Sequence, residues 1–99
     1  MLEKGLKSES RTVVTERNMA STMGSGDMPV FATPAMVALM ENAAMNAVAA
    51  ELEEGSSTVG VEMSVSHVKA SAAGAEITAS AELVEVDRRK LTFAVKAWD

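Results

Sequence analysis

Apolar residues crowd every turn of residues 34–52, whereas from Val59 onward they fall on every second position. That change of period separates a helix from a run of strands. Between Pro34 and Ala50 the only charged residue is Glu41, with Asn42 and Asn46 as the other polar side chains, so this helix has no clear polar face. A helix of that kind must be wrapped by other elements. Thr33 offers a side-chain oxygen to the first free backbone N–H groups, and Pro34 has a φ angle suited to the first helical position. The helix is therefore predicted to run from Pro34 to Leu52 with Thr33 as its cap. Gly55, followed by Ser56 and Ser57, is the stop signal.

Residues 1–9 show no period and read as a loose arm. The β-branched residues between Ser10 and Arg17 predict a first strand. Residues 18–29 combine Gly24, Ser25, Gly26, Asp27 and Pro29 with methionines, a loop composition of the length often found in lids and binding loops. Beyond the helix, Val59, Val61, Met63 and Val65 alternate with polar or small residues, and His67 continues this inward series. Ala70 to Gly74 form a turn. Ile77, Ala79, Ala81 and Leu83 make a second alternating series, and Val84 and Val86 shift its phase, which predicts a bulge near Leu83. Asp87, Arg88 and Arg89 then make a tight connection into a last strand with Leu91, Phe93, Val95 and Ala97 on one side. Short connections imply antiparallel neighbours. The expected fold class is thus α+β, with one long central helix against a curved antiparallel sheet.

The 99 residues, 47% of them hydrophobic, suit a single domain spanning 1–99. There is no cysteine to staple so small a core, and a helix this apolar points to burial shared with a second subunit, hence a homodimer or higher homo-oligomer. A net charge of −5 argues against nucleic acid, and Arg88, Arg89 and Lys90 are the only clustered cations. Residues 1–7 carry charge and lack a signal-peptide run, so cytoplasmic is the default location. As a membrane span the helix is slightly short, and Glu41 near its middle would cost about 2.5 to 3.5 kcal/mol on insertion scales, so no membrane role is expected.

Three polar residues stand out for chemistry. Thr33 sits where the helix dipole favours negative charge, though a purely structural cap is the simpler reading. Glu41 is either a solvated charge at a gap in the wrapping or a working carboxylate, because an unpaired buried charge is costly. His67 is either a hydrogen-bonded core histidine or a partner of the other two in a hydroxyl, carboxylate and imidazole group. Gly60 inside a strand weakens it and so points to close approach by a neighbour or ligand. Met36, Met40 and Met45 read as packing residues. With one histidine and no cysteine, no structural metal site is expected. Gly24-Ser-Gly26 lacks the Gly-Lys-Ser/Thr of a phosphate loop.

The run Val30-Phe-Ala-Thr-Pro-Ala-Met-Val-Ala-Leu-Met-Glu41-Asn, followed by Gly60-Val-Glu-Met-Ser-Val-Ser-His67, resembles the hotdog-fold thioesterases related to fluoroacetyl-CoA thioesterase. The stretch from Ala81 to Val95 is also similar to that family. The resemblance implies a hotdog fold that wraps its long helix in antiparallel sheet, dimerises, and hydrolyses acyl-CoA to free acid and CoA without a cofactor, coenzyme A being part of the substrate. It implies Thr33, Glu41 and His67 as catalytic residues, with the nucleophile among them open, and Gly60 as the glycine whose backbone lies by the thioester. Two departures stand out. Residues 18–29 lack the phenylalanines of the fluoroacetate lid, which leaves the acyl group open, and relatives continue past the Trp98 position with another strand that this chain does not hold. An unpaired strand edge, a missing piece of pocket or completion by another chain would follow. The alternative is a noncatalytic acyl-CoA-binding or scaffolding hotdog module. A hotdog dehydratase ranks lower, since those enzymes place histidine and aspartate differently.

Overall fold

A computed structural model describes residues 2–99. Strand β1 (Lys7–Val13) leads through two short helical turns into the long helix. After residue 75 come β2 (Glu76–Asp87) and β3 (Lys90–Trp98). The three strands form one antiparallel sheet in the order β1-β2-β3, and the helix Thr33–Val48, here α1, packs across it.

The period-two series sets which face meets the helix. Ile77, Ala79, Ala81 and Leu83 on the central strand are no more than 2% exposed, as their alternation predicts. Val14, Phe31, Met36 and Met40 join Ile77 and Ala79 in the core, each large apolar side chain contributing roughly 1.5 to 3 kcal/mol on burial. The expected bulge is present, since the β2–β3 register slips between Leu83 and Glu85. The hairpin turns at Arg88, whose φ of 57° is the only positive value outside glycine among the described residues.

Several boundaries differ from the sequence expectation. The first strand begins at Lys7, inside the stretch read as a loose arm, because Lys7 to Val13 pair residue by residue with Glu82 back to Glu76. The segment 18–29 is less open than its composition suggests. Met19 and Phe31 form an isolated antiparallel bridge that closes the excursion at its base, and Gly24, at φ 81°, ends a single helical turn within it. Helix α1 ends at Val48 and passes into a 3₁₀ turn, Ala49–Glu51.

Two larger differences bear on the site. Residues 59–68, expected as a strand, belong to no sheet and make no backbone hydrogen bond within the chain among the described residues. Val59, Val61 and Val68 on this segment are 84%, 85% and 92% exposed. The helix is also not wrapped within one chain. Met36, Met40 and Ala43 face the sheet, while Ala38, Glu41, Asn42, Met45 and Asn46 face outward. Three strands about 4.8 Å apart cover one side of a helix that is about 10 Å across, and no more. The outer polar residues are tied together at the rim: the Ser10 hydroxyl donates to Asn42 Oδ1 at 2.7 Å and Asn46 Nδ2 donates to the same oxygen at 3.1 Å. No helix among the described residues is long and apolar enough to cross a membrane.

Candidate functional site

The start of α1 is set by two backbone hydrogen bonds ahead of it. Phe31 N–H donates to the Ser71 carbonyl and Ala32 N–H to the Asn18 carbonyl, both at 2.8 Å. Pinned in this way, the chain enters the helix one residue earlier than predicted. Ala32 is the N-cap, with an extended backbone and no side-chain capping bond, and Thr33 already lies in the first turn. Thr33 is therefore not the cap. Its exposed hydroxyl is instead engaged by the only histidine in the chain: Thr33 Oγ1 lies 2.8 Å from His67 Nδ1.

Glu41 is eight residues further on, about 12 Å along the helix axis at 1.5 Å per residue. It is exposed, and it shares no hydrogen bond with Thr33 or His67 within the chain among the described residues. Its neighbour is Gly60, where an added Cβ would overlap Glu41 Oε2. Residues 59–68 thus run back along the helix, passing Glu41 at Gly60 and reaching Thr33 at His67. The close approach expected at Gly60 is an approach to Glu41. The three polar residues read from the sequence form not one cluster but a hydroxyl–imidazole pair at one end and a carboxylate–glycine contact at the other.

The pair opens onto two clefts. The smaller, about 250 Å³, is lined by Thr33, His67, Ser25, Val30 and Lys69. The larger, about 430 Å³, lies between the end of β3 and residues 64–69, with Met36, Met40 and Ile77 at its floor. Phe31, His67, Val68 and Lys69 border both. Sequence reasoning gave no part to Lys69, Ser71 or Asp99. Lys69 Nζ donates to Asp99 Oδ1 at 3.0 Å and Ser71 Oγ donates to Oδ2 at 3.1 Å, which joins the segment after His67 to the end of β3. The only sequence signal was a lone lysine two residues after the histidine. Among the described residues, no group of three or more His, Cys, Asp or Glu side chains could hold a metal ion.

The hydrogen bonds from Lys69 and then Ser71 hold the Asp99 carboxyl below its ordinary range. A lowered folded-state value means that the tie is fully present above the ordinary carboxylate pKa and is lost as pH falls through the folded one. Removing the first donor in Lys69→Met is expected to raise the Asp99 midpoint toward the ordinary value, followed by NMR of the side-chain carboxyl. An unmoved midpoint would show that the lysine does not set it.

Residues 14–99 match the family of fluoroacetyl-CoA-specific thioesterases, FlK. A fluoroacetyl-CoA thioesterase of Streptantibioticus cattleyicolor is 43% identical over 70 residues, which is 71% of this chain and 50% of that protein, so the match spans about half of that relative's length. In three dimensions all of this chain superposes on a structure of the fluoroacetyl-CoA thioesterase FlK with a TM-score of 0.91 and 32% identity, covering 78% of that chain. A thioesterase superfamily member from Thermus thermophilus gives a TM-score of 0.89 at 25% identity, with 99% of this chain and 72% of that one covered. The sheet-on-helix arrangement is the hotdog fold, and the chain belongs to the fluoroacetyl-CoA-specific thioesterase family.

Proposed function

We propose that this chain is an acyl-CoA thioesterase acting as a homodimer, with Thr33 and His67 of one subunit and the partner's Glu41 forming each site. The observation that carries the reading is the 2.8 Å contact between Thr33 Oγ1 and His67 Nδ1 at the N-terminus of α1. It lies within the range in which a base takes a proton from a nucleophile. Thr33 Oγ attacks the thioester carbonyl carbon and His67 accepts the hydroxyl proton. The oxyanion is stabilised by the positive end of the helix and nearby backbone N–H groups. Collapse breaks the C–S bond, and the coenzyme A sulfur leaves with the proton from His67. Water, deprotonated in turn by His67, then releases the acid and restores Thr33.

Dimerisation supplies what one chain lacks. Glu41 is too far along its own helix to reach His67, and residues 59–68 have unpaired backbone and exposed valines. If two copies of this segment pair antiparallel about a two-fold axis between Met63 and Ser64, Gly60 of one copy falls opposite His67 of the other. The partner's Glu41, packed on that glycine, then comes beside the Thr33–His67 pair. Coenzyme A enters only as part of the substrate, and no further cofactor belongs to this reading. A cytoplasmic location goes with it, in keeping with a chain that has no cysteine.

Thiol release from short acyl-CoA substrates tests the activity, and subunit mixing tests the shared site. His67→Ala and Glu41→Gln homodimers are each expected to be nearly inactive. Mixed in equal amounts and allowed to exchange, they should recover about a quarter of the wild-type rate, because half the dimers then hold one intact site of two. No recovery in dimers shown to have exchanged would mean that Glu41 does not serve the partner's site. Binding of acyl-CoA with no thiol release by the wild type would favour the noncatalytic module.

A further inference from the structure

The two partners of the hydroxyl–imidazole contact are held to the fold very unequally. Thr33 stands on helix α1, whose entry is pinned by the N–H groups of Phe31 and Ala32. His67 stands on a stretch, residues 59–70, that makes no backbone hydrogen bond within the chain among the described residues. An imidazole on such a stretch needs other fixed points, because misplacing base and nucleophile by about 1 Å is enough to cost roughly 10²-fold in rate. Before His67 the fixed point is apolar: Val65, two residues earlier, packs against the core. After it the fixed point is polar. Lys69, two residues on, donates to Asp99 Oδ1 at 3.0 Å, and Ser71, two further, donates to Oδ2 at 3.1 Å.

These contacts close a circuit. The Ser71 carbonyl accepts the Phe31 N–H at 2.8 Å, and Phe31 lies two residues before Thr33. From Thr33 the path runs through Phe31 to Ser71, across Asp99 to Lys69, along the chain to His67, and over the 2.8 Å contact to Thr33 again. Every link is a hydrogen bond or two residues of chain, each residue spanning at most about 3.6 Å. Ser71 is the junction, with its carbonyl on the threonine side and its hydroxyl on the histidine side, and it is buried. Asp99 spans Ser71 and Lys69 because one ionised carboxylate accepts on both oxygens at once, which an amide cannot do. The tie is not needed to hold β3, which pairs with β2 as far as Trp98. The Lys69 side chain is 72% exposed, and an ion pair so open to water adds little to stability. Its distinctive feature is its place beside the imidazole. In the proposed dimer the partner's segment would pair with residues 59–68, which leaves the stretch that follows to this circuit.

We infer that Asp99 is a positioning residue for the reaction: by holding Lys69 and Ser71 together it keeps the His67 imidazole in line with the Thr33 hydroxyl. It acts through His67 and is given no contact with the reacting atoms. The inference rests on the catalytic reading of Thr33 and His67, and it adds to that site a carboxylate supplied by the same chain, distinct in place and task from Glu41.

The test joins kinetics to a signal that does not depend on turnover. His67 is the only histidine, so the imidazole C–H resonances in an NMR spectrum, and their couplings to the ring nitrogens, belong to one residue. In the wild type they should report an ordered imidazole whose Nδ1 is unprotonated and accepts a hydrogen bond. Asp99→Asn and Ser71→Ala should move these resonances toward those of a freely rotating histidine and lower kcat for a short acyl-CoA about tenfold, with KM changed less than twofold. Lys69→Met, at an exposed position where folding is not at risk, should shift both readouts in the same direction by a smaller amount. Lys69→Arg and Ser71→Thr keep a donor and should stay within twofold of the wild type. An unshifted imidazole in Asp99→Asn, or kcat unchanged in both Asp99→Asn and Lys69→Met, would overturn the proposal. So would a raised KM at constant kcat, which would make the tie part of substrate binding. A wild type that releases no thiol would end the catalytic reading itself, and the positioning role with it, whatever the imidazole does.

Discussion

His67→Ala is expected to lower kcat for acyl-CoA hydrolysis by about 10²- to 10⁴-fold, the usual contribution of a positioned base. The proposed mechanism makes the imidazole the acceptor of the Thr33 proton and then the donor to the departing sulfur, so its loss affects both halves of the reaction. Thr33→Val, which removes the hydroxyl and keeps the volume, should fall into the same range. The double variant should be little worse than either single one, since groups that act as a unit are not additive. Stability should change by less than about 0.5 kcal/mol in each variant, because Thr33 is exposed and His67 is only half-buried. Thiol-release kinetics together with urea unfolding separate the two effects. A Thr33→Val enzyme of wild-type rate would remove threonine as the nucleophile, and a double variant of wild-type rate would end the hydrolytic reading.

Gly60→Ala carries the second large effect. The added Cβ would overlap Glu41 Oε2, and the atom in its way is the far end of a flexible side chain, so the carboxylate moves and the backbone keeps its course. In the proposed site that carboxylate serves the partner subunit, and misplacement by about 1 Å is enough to cost roughly 10²-fold in rate. The variant should therefore resemble Glu41→Gln in kcat while remaining a folded dimer by analytical ultracentrifugation. In the mixing experiment it should rescue His67→Ala as Glu41→Gln does, since it brings an intact Thr33–His67 pair to the partner's undisturbed Glu41, and it should fail to rescue Glu41→Gln, because the Glu41 it supplies is displaced. Full activity in Gly60→Ala would show that the carboxylate position does not matter to the reaction.

The noncatalytic alternative draws on one real feature: within a single chain the carboxylate and the imidazole stand apart. That separation argues against catalysis only if the protein works as a monomer. The exposed valines of residues 59–68 and the uncovered outer side of α1 are surfaces that a lone chain would leave in water. Oligomeric state is therefore the measurement on which both the shared site and the alternative turn.

Much of this was legible in the residues. The switch from a crowded apolar helix to period-two alternation placed α1 and β2, because both patterns are local and each residue's burial follows from its position on one element. The β2–β3 bulge was visible as a phase shift at Val84 for the same reason. For His67 the residues leave two readings open, a core histidine or a partner of Thr33 and Glu41, and the structure shows its contact with Thr33 and none with Glu41 within the chain. What could not be read was anything that depends on which elements lie side by side. Thr33 passed for a cap because its competitor, the anchoring of Phe31 and Ala32 by Ser71 and Asn18, comes from segments remote in sequence. Residues 59–68 alternate as a strand should, yet alternation describes one chain's side chains and not the neighbour that its backbone needs, and no strand among the described residues pairs with it. Gly60 was marked as a close approach, but only the folded path shows that the approach is to Glu41. Local physics sets each element; where hydroxyl, imidazole and carboxylate stand relative to one another follows from long-range packing and from surfaces left uncovered.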